Sequence, residues 1–347
     1  MTKILKYTIL ALFFVCLSAC RKTNTDEEVA ALSFQAEARE IEQELKSGAG
    51  EEIVKTEDAQ LKAKPFGVFG VWNDMVESIG GNNVFLQSTA QEVTYNSGES
   101  KWQYSPLQYW KINKFYRFRA YHPYSGDSFI VNASSSADNI MIEYNVVPGK
   151  DDLLVGFKAV EATIDNIKEK VKFEFQHALC GLQFKIALKD VPEIADTDND
   201  YITEFYLSGL IPTGTLRYTY DPSDVKLPMI EWIATYYDSG SYFSWTGEKE
   251  FVKYNGSNAV DIFDGSDDNH LVFCIPQTCS SSVDKPTTIH FKTRGGGTAD
   301  NSATLPTLKW ESGKIYIYTL LVNKSDLKVV VSIKDWKEIQ SSEDVYL

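Results

Sequence analysis

The feature that most constrains the fold of this chain is a succession of short segments in which apolar and polar residues alternate. The clearest, Lys170–Phe175, reads Lys-Val-Lys-Phe-Glu-Phe, and Leu182–Leu188 repeats the pattern. A period of two places apolar side chains on one face of a strand, whereas an amphipathic helix needs a period of 3.6. Such runs recur at roughly 8–15 residues with Gly, Asn, Ser or Pro clusters between them. We therefore predict an all-β protein built of β-sandwiches.

Two of these runs carry more specific expectations. Pro65–Trp72 alternates large residues with glycines, which predicts a strand that another element approaches closely. Tyr116–Tyr121 alternates aromatic and Ala residues with arginines, which predicts a strand with one face in the core and one face in solvent.

The length of the chain supports two folded units. It has 347 residues, and a domain usually takes about 100–200. We expect a signal peptide at 1–19, a tether at 20–30, an N-terminal β-sandwich at 31–185 and a C-terminal β-sandwich at 186–347. The boundary is placed there because the segment between the neighbouring strand patterns is the best candidate for a linker.

The first twenty residues have the pattern of an export signal. Lys3 and Lys6 precede an apolar run, Tyr7–Leu17, that is too short to span a bilayer as a helix. The run leads into Leu17–Cys20, which reads Leu-Ser-Ala-Cys and resembles a bacterial lipobox. That resemblance implies cleavage before Cys20 and attachment of lipid, with acyl chains such as palmitate, to its thiol. The alternative is an ordinary secretory signal that contains a cysteine.

The charge of the chain argues against nucleic acid as a partner. Lys and Arg total 34 against 48 Asp and Glu, which gives a net charge of −14. Removal of the leader would take Lys3 and Lys6 with it and make the balance more negative. Because such a chain repels phosphate backbones, we expect no nucleic-acid binding.

Three cysteines would remain after processing. Of the five in the chain, Cys16 would leave with the signal and Cys20 would carry lipid, so that Cys180, Cys274 and Cys279 remain. An oxidising compartment would allow one disulfide and leave one thiol. The spacing does not decide which two residues pair.

The familiar catalytic motifs are missing from the sequence. It contains no P-loop, no G-x-S-x-G, no H-E-x-x-H and no dinucleotide-binding fingerprint. His177 and Cys180 lie close enough in sequence to suggest a nucleophile pair, but their apolar surroundings favour an inert core thiol. We predict no catalytic residue, no enzymatic activity and no cofactor.

Two acidic loops raise the question of calcium. Asp264–Asn269 and Asp196–Asp200 contain the oxygen ligands that Ca²⁺ prefers, but they lack the spacing of an EF-hand. Solvated loops are the preferred interpretation, and we assign no metal site.

Seven segments between residues 32 and 336 show a further resemblance. They are Leu32–Ala36, Leu61–Phe69, Tyr116–Tyr124, Asp152–Val155, Val171–Leu179, Trp310–Tyr318 and Ile333–Trp336. Together, and in this order, they resemble segments of the fimbrillin family, the type V pilus subunits of Bacteroidota. The resemblance implies two tandem transthyretin-like β-sandwich domains, export as a lipoprotein and a location in a fimbrium on the outer membrane.

The resemblance also implies assembly by strand exchange. In that scheme a surface protease cuts after a basic residue, the first strand leaves, and the C-terminal strand of a neighbouring subunit takes its place. Here the strand to be lost would be Leu32–Ala36, and the first basic residue after it is Arg39, followed by Lys46 and Lys55. Lys337–Leu347 is the candidate donor. An open sheet edge binds a matching strand through main-chain hydrogen bonds.

We therefore expect a lipid-anchored, structural or adhesive fimbrial subunit. Its expected partners are other fimbrial subunits, the outer-membrane lipid that holds Cys20, and a receptor on a host or bacterial surface. One alternative is a glycan-binding surface lipoprotein of a polysaccharide-uptake system, and another is a hydrolase with a site outside known motifs. Four aromatic residues could stack on sugars, although packing in the core is favoured: Trp102, Tyr104, Tyr109 and Trp110.

Overall fold

The computed structural model describes most of the chain. The described residues are 30–38, 59, 61–74, 79–85, 89–146, 151–189, 201–221, 223–234, 236–256, 258–263, 271–294, 301–322 and 327–335. Strands dominate these ranges, so the all-β prediction is confirmed.

Twenty-three strands follow one another along the described residues. The first eleven are β1 (Phe34–Ala38), β2 (Phe66–Asn73), β3 (Asn82–Asn83), β4 (Gln91–Asn96), β5 (Lys101–Gln103), β6 (Lys114–His122), β7 (Phe129–Val131), β8 (Ile140–Asn145), β9 (Leu154–Ala162), β10 (Val171–His177) and β11 (Cys180–Leu188). The others are β12 (Tyr201–Leu210), β13 (Thr213–Asp221), β14 (Asp224–Ala234), β15 (Asp238–Glu250), β16 (Val260–Asp261), β17 (Val272–Cys274), β18 (Thr278–Cys279), β19 (Thr288–Thr293), β20 (Asn301–Thr304), β21 (Leu308–Lys309), β22 (Lys314–Val322) and β23 (Leu327–Asp335).

The strands form four main sheets. Sheet A has the order β1-β10-β9-β6-β2-β4-β5, with β3 also paired to β2. Sheet B has the order β16-β11-β22-β23, with β17 also paired to β11. Sheet C is β15-β12-β19-β20, sheet D is β14-β13-β8-β7, and β18 and β21 form a small separate pair. Most neighbours are antiparallel, but β1 runs parallel to β10 and β11 runs parallel to β22.

The glycines of β2 are covered by aromatic rings of β6. Gly67 lies opposite Tyr121 and Gly70 lies opposite Phe118 in the antiparallel register. A Cβ added to Gly67 would stand 2.4 Å from the Tyr121 ring, and one added to Gly70 would stand 2.7 Å from the Phe118 ring. These positions therefore need glycine for steric reasons, as the pattern of Pro65–Trp72 predicted.

The arginines of β6 are buried, so the prediction of a solvent-exposed face on this strand is wrong. Arg117 and Arg119 are only 1% and 0% exposed. The Arg117 guanidinium donates to the Asp138 carboxylate at 2.8 Å. Arg119 Nε donates to the Thr219 carbonyl at 3.3 Å, and its guanidinium lies 5.1 Å from the Phe157 ring. Burial lowers the pKa of Arg119 to about 10, which leaves it charged at neutral pH.

Strand β14 has no counterpart among the sequence predictions. Pro228 lies in the middle of it, opposite Tyr220 of β13, and proline cannot donate a main-chain hydrogen bond. The proline is tolerated because β14 is at the edge of sheet D, where one side of the backbone needs no partner strand.

The predicted domain boundary between residues 185 and 186 falls between two strands of the same sheet. In sheet D, β8 precedes this boundary in the chain and pairs with β13, which follows it. The two-domain division at that point stays a prediction.

The apolar core has two parts among the described residues. The smaller part lies against sheet A and draws its buried side chains from Leu32 to Phe175. The larger part draws on all four sheets, from Phe69 to Val331. The smaller part contains the side chains of Phe34 and Ala36 on β1.

Candidate functional site

Strand β1 completes one edge of sheet A. It pairs in parallel with β10, from Phe34 opposite Val171 to Ala38 opposite Phe175. The sequence predicts this strand at Leu32–Ala36, two residues earlier than its observed start. Among the strands that the structure describes, β1 lies at the edge of the sheet and has a full ladder partner on one side alone. Its removal would therefore expose the main-chain groups of β10 without breaking any pair between the other strands.

The residues just before β1 are held from the opposite side. Ala31 forms an antiparallel bridge with Tyr109. The Leu32 N–H donates to the Gln108 carbonyl at 2.8 Å, and the Trp110 N–H donates to the Ala30 carbonyl at 3.3 Å. Residues 30–38 thus lie in a slot between β10 and the segment around Tyr109.

Tyr104 anchors the same segment by its side chain. Its hydroxyl donates to the Leu32 carbonyl at 2.9 Å and accepts from the Gln108 N–H at 3.2 Å. Burial raises the pKa of Tyr104, so the hydroxyl keeps its proton and remains a donor at neutral pH. The alternation of the sequence does not reveal this contact, because Tyr104 lies far from Leu32 along the chain.

Phe34 is the central side chain of the slot. It is 2% exposed, and Leu32 and Ala36 on the same face are 1% and 2% exposed. Its ring centroid lies 5.3 to 6.3 Å from those of five aromatic residues: Phe66, Phe85, Tyr104, Phe118 and Phe173. Burying a side chain of this size stabilises the fold by about 1.5–3 kcal/mol. The Phe34 side chain therefore anchors β1 within an aromatic cluster.

The structure does not describe the residues predicted to be lipidated, cleaved or donated to a neighbouring subunit. Cys20, Arg39 and Lys337–Leu347 lie outside the described residues, as do the acidic loops Asp196–Asp200 and Asp264–Asn269. Lipidation, cleavage, the donor role and calcium binding therefore stay predictions.

The four aromatic residues weighed as a sugar platform mostly pack inward. Trp102 and Trp110 are buried, at 8% and 4% exposure. Tyr104 lies half-buried against β1, and Tyr109 is 54% exposed. The prediction that packing dominates is confirmed for the first three.

His177 and Cys180 have separate partners. His177 Nδ1 lies 2.7 Å from Asp152 Oδ2, whereas the Cys180 thiol donates to the Cys274 carbonyl at 3.2 Å. Burial raises the pKa of Cys180 well above its usual range, which suppresses the nucleophilic thiolate. This arrangement supports the interpretation of Cys180 as an inert core thiol.

Within the described ranges, no group of three or more His, Cys, Asp or Glu side chains is placed to hold a metal ion. The same part of the chain forms no helix with the length and hydrophobicity that a membrane crossing requires.

The fold and this slot define a class: a β-sandwich protein in which the first strand of the described residues lies at a sheet edge and packs its apolar side chains into the core. The sequence model of the fimbrillin-like family matches residues 53–336 of this chain. The chain therefore belongs to the fimbrillin-like family. The matched region starts after β1, so the family assignment does not rest on that strand.

Solved structures share the fold over almost their whole length. A fimbrial protein from Bacteroides vulgatus is 17% identical, with a TM-score of 0.54 over 88% of this chain and 99% of that one. Proteins described as cell adhesion proteins come from Bacteroides ovatus and Bacteroides uniformis. The first is 13% identical, with a TM-score of 0.52 over 90% of this chain and 99% of that one. The second is 17% identical, with a TM-score of 0.50 over 90% of this chain and 100% of that one. No curated protein matches this chain.

Proposed function

We propose that this protein is a non-enzymatic subunit of a cell-surface fimbria, exported as a lipoprotein and assembled by donor-strand exchange. Membership of the fimbrillin-like family supports the fimbrial role, as does the fold shared with a Bacteroides fimbrial protein. The proposed location is the outer membrane, with lipid on Cys20 as the anchor before assembly. A receptor on a host or bacterial surface is part of the same proposal.

A single observation supports strand exchange most directly. Strand β1 is an edge strand whose inward side chains fill the core, and Arg39 is the residue immediately after it in sequence. One cut after Arg39 would leave β1 attached by non-covalent contacts alone. Loss of the strand would uncover the main-chain edge of β10 and the aromatic residues around Phe34 together. Both are costly to leave in water, and this cost drives the uptake of a replacement strand.

The replacement would come from a neighbouring subunit. Lys337–Leu347 is the proposed donor, and it ends with three residues, Val345–Leu347, two of which are aliphatic and one aromatic. A donor pairs with β10 through main-chain hydrogen bonds and places an apolar side chain where Phe34 lies. The alternation of inward Leu32, Phe34 and Ala36 sets the register that the donor has to match.

Limited proteolysis tests the proposal. The mature protein, extracted in detergent, is treated with an arginine-specific protease and followed by mass spectrometry and size-exclusion chromatography. We expect loss of the segment that ends at Arg39, followed by SDS-resistant oligomers. Arg39→Ala should block both events, whereas Arg21→Ala, which alters an arginine of the predicted tether, should block neither.

Deletion of Lys337–Leu347 separates cleavage from assembly. The truncated chain should still be cut but remain monomeric, because it keeps the groove and lacks the donor. A full chain that is cut and stays monomeric would contradict polymerisation and indicate a tip or accessory role. A full chain that resists the protease would contradict strand exchange, and glycan-array screening of that monomer would then test the glycan-binding alternative.

Lipidation is tested by metabolic labelling with a palmitate analogue. Cys20→Ala should abolish the label, while Cys16→Ala, which changes a cysteine within the predicted signal peptide, should retain it. Equal labelling of the two variants would contradict Cys20 as the lipid site.

A further inference from the structure

The three cysteines of the predicted mature chain that have described positions lie in the larger core. Cys180 and Cys274 are 0% exposed, and Cys279 is 1% exposed. All three are thiols in this structure. Cys180 is the first residue of β11, Cys274 is the last residue of β17, and Cys279 is the last residue of β18.

Cys180 and Cys274 are direct cross-strand neighbours. They are opposite each other in the antiparallel register of β11 and β17. Directly opposite residues in such a pair have Cα atoms about 4.5–5.5 Å apart and side chains on the same face. A disulfide spans Cα separations of about 4.4–6.8 Å. The Cys180 thiol already lies 3.2 Å from the carbonyl oxygen of Cys274.

Cys279 is held away from this pair. Its strand pairs with β21, and its thiol donates to the Pro306 carbonyl at 3.3 Å. The Gln277 amide donates to Cys274 Sγ at 3.3 Å. Gln277 is itself fixed by hydrogen bonds in both directions with the Ile211 main chain. A bond between Cys274 and Cys279 would have to disturb this anchored amide.

We infer that Cys180 and Cys274 form a disulfide when the chain folds in an oxidising compartment, and that Cys279 remains a thiol. The oxidant is a small disulfide or a disulfide-bearing oxidoreductase. One protein thiolate attacks the oxidant and forms a mixed disulfide, and the second thiolate displaces the oxidant's remaining thiol. The two protein thiols lose two protons and two electrons in total, and the oxidant is reduced to two thiols.

The bond forms before the core closes. Exchange needs a thiolate and access to solvent, and burial both raises the pKa of Cys180 and shields it. The oxidising compartment rests on the proposed export of the protein, whereas the choice of partners rests on the pairing of β11 with β17 and on the separate contacts of Cys279.

The disulfide would close the long stretch of chain between β11 and β17. This stretch contains β12 to β16, which belong to sheets B, C and D. A cross-link over a long loop reduces the entropy of the unfolded chain. We expect the thermal midpoint of the oxidised protein to exceed that of the reduced protein by about 5–10 °C.

Peptide mapping tests the inference without any substitution. The full-length protein is expressed with its leader in cells that export it, and it is alkylated in denaturant without reduction. A second sample is reduced, unfolded in urea and refolded in a buffer of reduced and oxidised glutathione. We expect a linked pair of peptides that carry Cys180 and Cys274, two hydrogen masses lighter than the reduced pair, and an alkylated Cys279.

The two samples separate the inference from the proposed function. A linked pair in the refolded sample alone supports the pairing and argues against export. Three alkylated cysteines after oxidative refolding, or a linked peptide pair that contains Cys279, would overturn the inference. As a matched set, Cys279→Ala should keep the difference in thermal midpoint between oxidised and reduced protein, while Cys180→Ala and Cys274→Ala should both lose it.

Discussion

Strands β1 and β23 are both sheet edges, but different kinds of contact hold them. β1 runs parallel to β10, so that Phe34 is paired with Val171 across a long stretch of chain. β23 runs antiparallel to β22, and the pair Val322 and Leu327 stands at the close end of the hairpin. The partner of β23 is thus its neighbour in sequence, whereas β1 depends entirely on distant residues.

The buried side chains of the two strands also differ, since those of β1 include a large aromatic ring and those of β23 are aliphatic. β1 inserts Phe34 among five aromatic rings. β23 buries the aliphatic residues Val329 and Val331, at 6% and 2% exposure. Since β1 is not joined to β10 by a hairpin, the proposed cut after Arg39 would leave it held by non-covalent contacts alone. Under the proposed strand exchange, this difference makes β1 rather than β23 the strand to be replaced.

The largest expected effect is on the anchor of β1. Phe34→Ala should lower the free energy of unfolding by about 3–5 kcal/mol, because it removes a buried ring and leaves a cavity among aromatic side chains. Val331→Ala on β23 should lower it by about 2 kcal/mol. Urea unfolding measures both. Equal losses for the two variants would contradict the distinction between the edges.

The second-largest effect is expected from acid, which should lower the free energy of unfolding through a buried histidine near β10. His122 of β6 lies 6.2 Å from the Phe175 ring on β10, and burial lowers its pKa to about 4 despite the nearby Asp152 carboxylate, which raises it. In the unfolded chain the pKa of His is near 6.5, so on acidification the unfolded chain takes up a proton at a higher pH than the folded chain does. Stability should therefore fall by about 3 kcal/mol as the pH drops from about 6.5 to 4.

The control for this acid effect is His122→Gln, which has no proton to gain. Its unfolding free energy should change less between pH 7 and pH 4 than that of the unaltered chain. Amide hydrogen exchange, corrected for intrinsic pH dependence, should show earlier loss of protection in β1 and β10 than in β22 and β23. The same pH profile for the two chains would exclude His122 as the cause.

A smaller effect is expected from the hydroxyl that holds Leu32. Tyr104→Phe removes the hydrogen bond to the Leu32 carbonyl and should cost about 1 kcal/mol. After a cut at Arg39, the segment that carries β1 should dissociate about fivefold faster from the Tyr104→Phe variant than from the unaltered chain. Surface plasmon resonance or a fluorescent label on that segment can measure the rate. Tyr109→Phe, at an exposed position, is the matched control and should leave the rate unchanged.

The smallest effect is expected where neither edge is involved. Arg217 and Glu231 form an ion pair of 3.3 Å on the outer side of sheet D, with side chains 44% and 50% exposed. Glu231→Gln should change the free energy of unfolding by less than about 0.5 kcal/mol, because solvent screens exposed pairs. If Glu231→Gln lowered the free energy of unfolding as much as Tyr104→Phe does, this ion pair would contribute more to stability than its exposure predicts.

Individual strands were readable from sequence to different degrees. Lys170–Phe175 and Pro65–Trp72 identify β10 and β2 because alternation and glycine spacing are local patterns. The sequence does not predict β14, because Pro228 is atypical of a strand and is tolerated here at a sheet edge. The sequence predicts solvent-exposed arginines on β6, because their charge normally excludes them from a core. Asp138 and the Thr219 carbonyl, which permit their burial, come from distant parts of the chain.

The candidate site shows the same division. The first strand and Arg39 beside it could be named from the sequence and the family resemblance. The slot could not, since Tyr104, Phe118 and Phe173 meet Phe34 only after folding. The pairing of Cys180 with Cys274 was likewise undecided by spacing alone.

By itself, the sequence determined the all-β class, the positions of most strands and the apolar face of β1. These depend on which side chains alternate within a few residues, and that is fixed before folding. The tertiary structure decided that β1 lies parallel to β10, that β11 lies parallel to β22, and that two arginines are buried. Each of these is a choice of partner between segments far apart in the chain. Main-chain hydrogen-bonding groups are alike along every strand, so the fit of side chains in the assembled core makes that choice.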